Sequence, residues 1–205
     1  MKKIMVLLLA TTMLFASVAY SNGNGGSKGS VVTKNDFVGT WTGPIEVEGI
    51  VISITLNADG SCVAYNSSQG FVGEDSNWTF TNPGVTVIIE GEDTVPGRLE
   101  NGKLVVNCEG DIPLTKVDTS AYVGTWTGTM DDDVSLYVTL NADGTVFAKN
   151  SSEEETTGLW TVTNSYFTMW LDVGDEDLEE GFFGNLQNGN LVVNFYGQNI
   201  PLTKK

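Results

Sequence analysis

Two stretches of this chain are nearly identical, and that repetition constrains the fold more than any other feature. "ITLNADGSCVAYNSS" (Ile54 to Ser68) returns as "VTLNADGTVFAKNSS" (Val138 to Ser152). The correspondence runs well beyond them. "FVGTWTG" from Phe37 matches "YVGTWTG" from Tyr122, "NWTFTN" from Asn77 matches "LWTVTN" from Leu159, and "GRLENGKLVVN" from Gly97 matches "GNLQNGNLVVN" from Gly184. "IPLTK" closes both copies, at Ile112 and Ile200. A period of about 85 residues is too long for a solenoid unit and long enough for a small domain. The expected organisation is a tandem duplication, with one unit over 36–117 and a second over 118–205. Their connector, Val117 to Ser120, is short, so the two units should touch.

Within each copy the apolar pattern has the period of a strand. Val134, Leu136, Val138 and Leu140 alternate with polar or aromatic residues, as do Ile50, Ile52, Ile54 and Leu56 in the first copy. "NADG" then turns the chain, with Gly taking the left-handed conformation that closes a bulged hairpin. That geometry sets Leu56 opposite Cys62 and Leu140 opposite Val146. "ENGK" and "QNGN" carry Asn-Gly, the strongest short hairpin signal. No window has sustained helical periodicity. The fold expected is all-β: two tandem antiparallel meanders of about eight short strands, each a small barrel or a flattened one, preceded by a signal peptide.

The leader is read over residues 1–21. Lys2 and Lys3 precede an apolar run from Ile4 to Val18 that is too short for a comfortable membrane span, followed by small residues suited to cleavage. "NGNGGSKGS" follows, and 22–35 reads as a flexible tether with little to bury. The mature protein is expected to be exported, to the periplasm or the exterior, with no membrane span. The formal charge of the whole chain is −16, with the acids divided almost evenly between copies, a surface that repels nucleic acid and anionic lipid. The chain has no histidine, which removes Ser-His and Cys-His nucleophile pairs and His-ligated zinc. Paired carboxylates abound, but nothing singles out one pair for glycosidase chemistry. A non-enzymatic protein without a cofactor is expected.

The opening motif, Gly39-Thr40-Trp41 and Gly124-Thr125-Trp126, resembles the G-x-W that begins the first strand of lipocalins and related calycin barrels. The hairpin behind it, the second tryptophan (Trp78, Trp160) and the terminal "LTK" are similar to small lipocalin-like domains of exported bacterial proteins. The resemblance implies a meander barrel, an apolar interior that could hold a ligand, and a basic side chain over the motif Trp, here Lys116 and Lys204.

Trp41, Trp126, Trp78 and Trp160 are expected in the core, where one indole buries a large apolar area. The second copy adds Tyr166, Phe167, Trp170, Phe182, Phe183, Phe195 and Tyr196 where the first has smaller or polar residues. That surplus makes Trp170, Tyr166, Phe182, Phe183 and Tyr196 the candidate ligand-binding residues, facing outward. Cys62 and Cys108 occur only in the first copy. In an exported protein a disulfide is the default, worth up to ~4 kcal/mol for a loop of roughly 45 residues. It requires Cα atoms within ~7 Å and so a flattened barrel; two buried thiols are the alternative. Asp172, Asp175 and Asp177 lie in an acidic run whose oxygens suit Ca²⁺, though the spacing is not that of an EF-hand loop, and a solvated charged loop is the other reading. Two functions follow as expectations. The first is a binding protein for a small apolar molecule, or for a glycan or protein met by the second copy's rings. The alternative is a structural or surface-interaction protein of filled barrels.

Overall fold

The computed structural model describes residues 31–45, 49–72, 76–89, 93–108, 110–130, 134–163, 166–172 and 179–205. The expected leader and most of the tether lie outside the described residues. Val32 already packs against the core of the first repeat. A single turn, α1 (Lys34–Phe37), follows, and the Asp36 carboxylate accepts hydrogen bonds from the Thr33 N–H at 2.7 Å and hydroxyl at 2.9 Å.

The first repeat then forms β1 (Gly39–Pro44), β2 (Val51–Leu56), β3 (Cys62–Asn66), β4 (Gly70–Val72), β5 (Asn77–Thr81), β6 (Gly84–Ile89), β7 (Asp93–Glu100), β8 (Lys103–Asn107) and β9 (Asp111–Val117). The second forms β10 (Gly124–Thr129), β11 (Ser135–Leu140), β12 (Thr145–Asn150), β13 (Glu155–Thr163), β14 (Tyr166–Asp172), β15 (Glu179–Gln187), β16 (Asn190–Phe195) and β17 (Gln198–Lys204). β10 to β17 pair in sequence order and close into a barrel, while β1 to β9 make a curled sheet in the order β4-β3-β2-β1-β9-β8-β7-β6-β5. The all-β, antiparallel reading therefore holds, with one closed barrel and one curled half-barrel.

The difference between the repeats has a local cause. The segment from Asn66 to Trp78 is two residues longer than its counterpart from Asn150 to Trp160. In the second repeat that segment is the single long strand β13, paired to β12 from Thr145 to Lys149. In the first it is divided between β4 and β5, and β5 meets the start of β3 through a lone bridge from Ser61 to Asn77.

Elsewhere the registers coincide. Trp41 lies opposite Ile54 and Lys116, and Trp126 opposite Val138 and Lys204. Leu56 faces Cys62 and Leu140 faces Val146, as the bulged NADG turn requires. The turn has a second task. Asn57 and Asn141 accept the indole N–H of Trp78 and Trp160, both at 2.8 Å, while Gly60 and Gly144 accept the backbone N–H of the same tryptophans. One four-residue loop thus sets the hairpin register and docks the second tryptophan, reason enough for it to occur twice.

The repeats pack face to face. The outward residues of β1–β3 are buried, although alternation alone would leave them in water: Ser53 and Thr55 are 1% and 3% exposed. They lie against β13 and β14. The Ser53 and Thr161 hydroxyls are 2.7 Å apart, Asn57 Nδ2 donates to the Asp143 carbonyl at 2.9 Å, and Thr168 hydrogen-bonds the Tyr65 phenol. Each buried hydroxyl has a partner, which keeps a polar seam from costing its desolvation.

Candidate functional site

The four tryptophans singled out by the repeat are buried, and each pair is held in one way. Trp41 and Trp126 donate their indole N–H to the Phe37 and Tyr122 carbonyls, both at 2.7 Å. Lys116 Nζ lies 5.2 Å from the Trp41 ring centroid and Lys204 Nζ 5.3 Å from that of Trp126. Gly39 and Gly124 admit these lysines. Their φ angles are +127° and +133°, and a Cβ would stand 2.7 Å and 2.8 Å from the lysine Cε. Residue, conformation and close approach thus agree on why the motif begins with glycine.

The five aromatic candidates do not form one site. Phe182 points inward, packed on Phe195 with ring centroids 4.6 Å apart. Trp170 belongs to the seam: its ring meets Phe71 edge-on at 6.5 Å, and a Cβ on Gly70 would lie 2.8 Å from it. Tyr196 occupies the turn between β16 and β17 in the left-handed region, with φ of 49°, and its ring meets Phe182 edge-on. Tyr196 is also outward, 72% exposed at that turn, and Tyr166 and Phe183 are the outward rings within strands, 64% and 54% exposed. Phe183 lies directly opposite Thr168 on β14 and Asn194 on β16. Tyr166 is two residues along β14 from Thr168, which places it diagonal to Phe183 at roughly 7–8 Å.

These rings share the outer wall of β14–β17 with amides that the sequence reading did not single out. Asn185 and Gln187 follow Phe183 at two-residue steps along β15, and Gln187 Nε2 donates to Asn185 Oδ1 at 2.8 Å. Asn194 Nδ2 donates to Asn199 Oδ1 at 3.0 Å across β16 and β17. The signal for this wall lay in the aligned repeats, as a difference in charge rather than in ring content.

Cys62, in β3, and Cys108, just past β8, are not bonded to each other in this structure. In the sheet order β2, β1 and β9 stand between those strands, and the sheet curls into a half-barrel rather than flattening to bring them together. Burial pushes the Cys62 thiol up from 9.0 to about 12, only partly opposed by Ser76. Its contribution to stability is therefore whole below pH 9 and is lost as pH rises from there toward 12. Denatured but unreduced protein is expected to release two equivalents of thiol to Ellman's reagent, with native Cys62 reacting slowly at pH 8. A count of zero would restore the bridge.

Asp172 ends β14 in an exposed position, and Asp175 and Asp177 lie outside the described residues. Among the described residues no His, Cys, Asp and Glu side chains gather in a group able to hold a metal ion. Nor is any described helix long and apolar enough to cross a membrane. A groove of about 650 Å³ opens where the connector crosses the seam, lined by Gly39, Lys116, Val117, Thr119, Val123 and Ala142 among others. It lies outside both β-sheet interiors. No family model, curated protein or solved structure matches the chain.

Proposed function

We propose that this is a non-enzymatic, exported, lipocalin-like protein with a duplicated β-unit, which binds a glycan or protein on the outer wall of the closed barrel of its second repeat. The carrying observation is how the second repeat divides its rings and aliphatics. Trp126, Leu140, Phe167, Met169, Leu191 and Leu202 are each under 2% exposed and pack in one cluster, in the space where a lipocalin would hold cargo. Tyr166 and Phe183 instead keep more than half their surface in water. Exposed rings grouped on one wall are the usual mark of a contact surface. The closed eight-strand meander, the buried G-x-W tryptophan and the lysine over it support the lipocalin-like assignment, and the lysine-led apolar leader supports export.

Oxidative footprinting tests this reading. In a concentrated extract of the protein's own source, Tyr166 and Phe183 are expected to be protected; after purification they are expected to label readily. Equal labelling in both states would count against an occupied wall. An organic molecule retained in the native mass spectrum would return the ligand to the interior.

A further inference from the structure

We propose that the outer wall of β14–β17 binds an uncharged polysaccharide chain, with Phe183 and Tyr166 as stacking platforms and Asn185, Asn194 and Asn199 as hydrogen-bonding groups. The proposal rests on the placement of the ligand on this wall and specifies its chemistry.

At matched registers this wall differs in kind between the two repeats. Arg98 lies opposite Val105 as Asn185 lies opposite Val192, and Glu100 opposite Lys103 as Gln187 lies opposite Asn190. Asn107 lies opposite Asp111 as Asn194 lies opposite Asn199. The four ionised residues of the first repeat, Arg98, Glu100, Lys103 and Asp111, are thus all amides in the second. Arg98 is 2.7 Å from Asp111 and 3.1 Å from Glu100, so the first wall is knit by ion pairs. Its apolar positions are kept: Val105 opposite Pro113 becomes Val192 opposite Pro201. Two positions gain rings, Pro96 becoming Phe183 opposite the same threonine and Gly84 becoming Tyr166.

General loss of charge does not account for this. The second repeat holds 14 of the chain's 26 acids, against 12 in the first. At these four positions amides replace charges on an otherwise strongly anionic protein.

Rings beside amides define the ligand. A sugar ring offers a flat C–H face that packs on an aromatic face, and a rim of hydroxyls that both donate and accept. An amide carries two donors and an acceptor with two lone pairs, so one bond within the net does not exhaust it. An anionic glycan would meet the repulsion of the surrounding acids. An outer barrel wall without an enclosing pocket also suits an extended chain laid across strands better than a small molecule needing enclosure.

Native affinity electrophoresis of the full chain tests the proposal, using gels cast with mixed-linkage β-glucan, xyloglucan, galactomannan or dextran, and with polygalacturonate as the anionic comparison. At least one neutral polymer is expected to retard the protein. Phe183→Ala should then weaken retardation about tenfold, as loss of a central aromatic anchor does. Asn185→Arg, which restores the first repeat's residue, should weaken it as well. Both positions face outward, and unchanged thermal melts will establish that the variants are folded. Retardation by none of the four neutral polymers, equal retardation by polygalacturonate, or variants that bind like wild type would each overturn the proposal. Footprint protection that persists without polysaccharide binding would identify a protein occupant and leave the wall in place as the contact surface; loss of both would remove the wall as well.

Discussion

Trp126→Ala is expected to lower the unfolding free energy by about 3–5 kcal/mol, the cost of emptying a buried tryptophan site. The residue is 1% exposed and sits in the core cluster of the closed barrel. Its removal does three things together. It leaves a cavity in the barrel core, takes the indole donor from the Tyr122 carbonyl, and strips the ring from beneath Lys204. The neighbouring strands cannot collapse to fill the gap, because β10 is paired on both sides, to β11 and β17. For a folded body of this size the loss corresponds to a fall in Tm of roughly 10 °C. Urea unfolding followed by far-ultraviolet circular dichroism is the measurement. A loss below about 1 kcal/mol would show that the tryptophan is an ornament of the barrel rather than its plug. Trp41→Ala should behave alike in the first repeat, where the same three contacts recur.

That expectation could be formed largely from sequence. Alternation set which side chains of β11 and β12 face inward, and NADG and Asn-Gly set hairpin registers that the strands obey. Such signals are local, so a single sequence carries them. Three features were not legible in this way. The split of β4 from β5 comes from two extra residues whose effect on pairing depends on strands distant in sequence. Whether Cys62 and Cys108 meet depends on the order and curvature of strands distant in sequence, which no run of residues encodes by itself. Burial of Ser53, Thr55 and Tyr65 arises from contact between repeats, and a polar outward residue looks the same whether it meets water or another sheet. The binding wall falls between these cases. Its rings stood out, but the charge-to-amide exchange becomes meaningful only when the registers place those positions on one face.

The second large effect is expected at the seam, from Ser53→Tyr. The substitution separates seam from barrel because the second repeat already carries a tyrosine at the equivalent position. Tyr137 pairs with Thr127 as Ser53 pairs with Thr42, so a tyrosine is compatible with the strand and its register. Tyr137 is only half-buried, with Lys205 Nζ 4.7 Å from its ring centroid. Ser53 has no such space: its hydroxyl is 2.7 Å from that of Thr161 and 3.4 Å from the Val162 carbonyl. A phenol ring there must push β13 away, and overpacking of this kind typically costs 1–3 kcal/mol. With β13 displaced, the Tyr65–Thr168 hydrogen bond and the packing of Trp170 on Gly70 and Phe71 are lost as well. The expected result is a larger radius of gyration by small-angle scattering and a red-shifted tryptophan emission as Trp170 meets water, with far-ultraviolet circular dichroism unchanged. Scattering and emission identical to wild type would mean that the seam yields to the ring without opening. Loss of the circular dichroism signal would mean that the first repeat needs the second to keep its strands. The first of those results would make the seam a soft contact; the second would make the two repeats one folding unit.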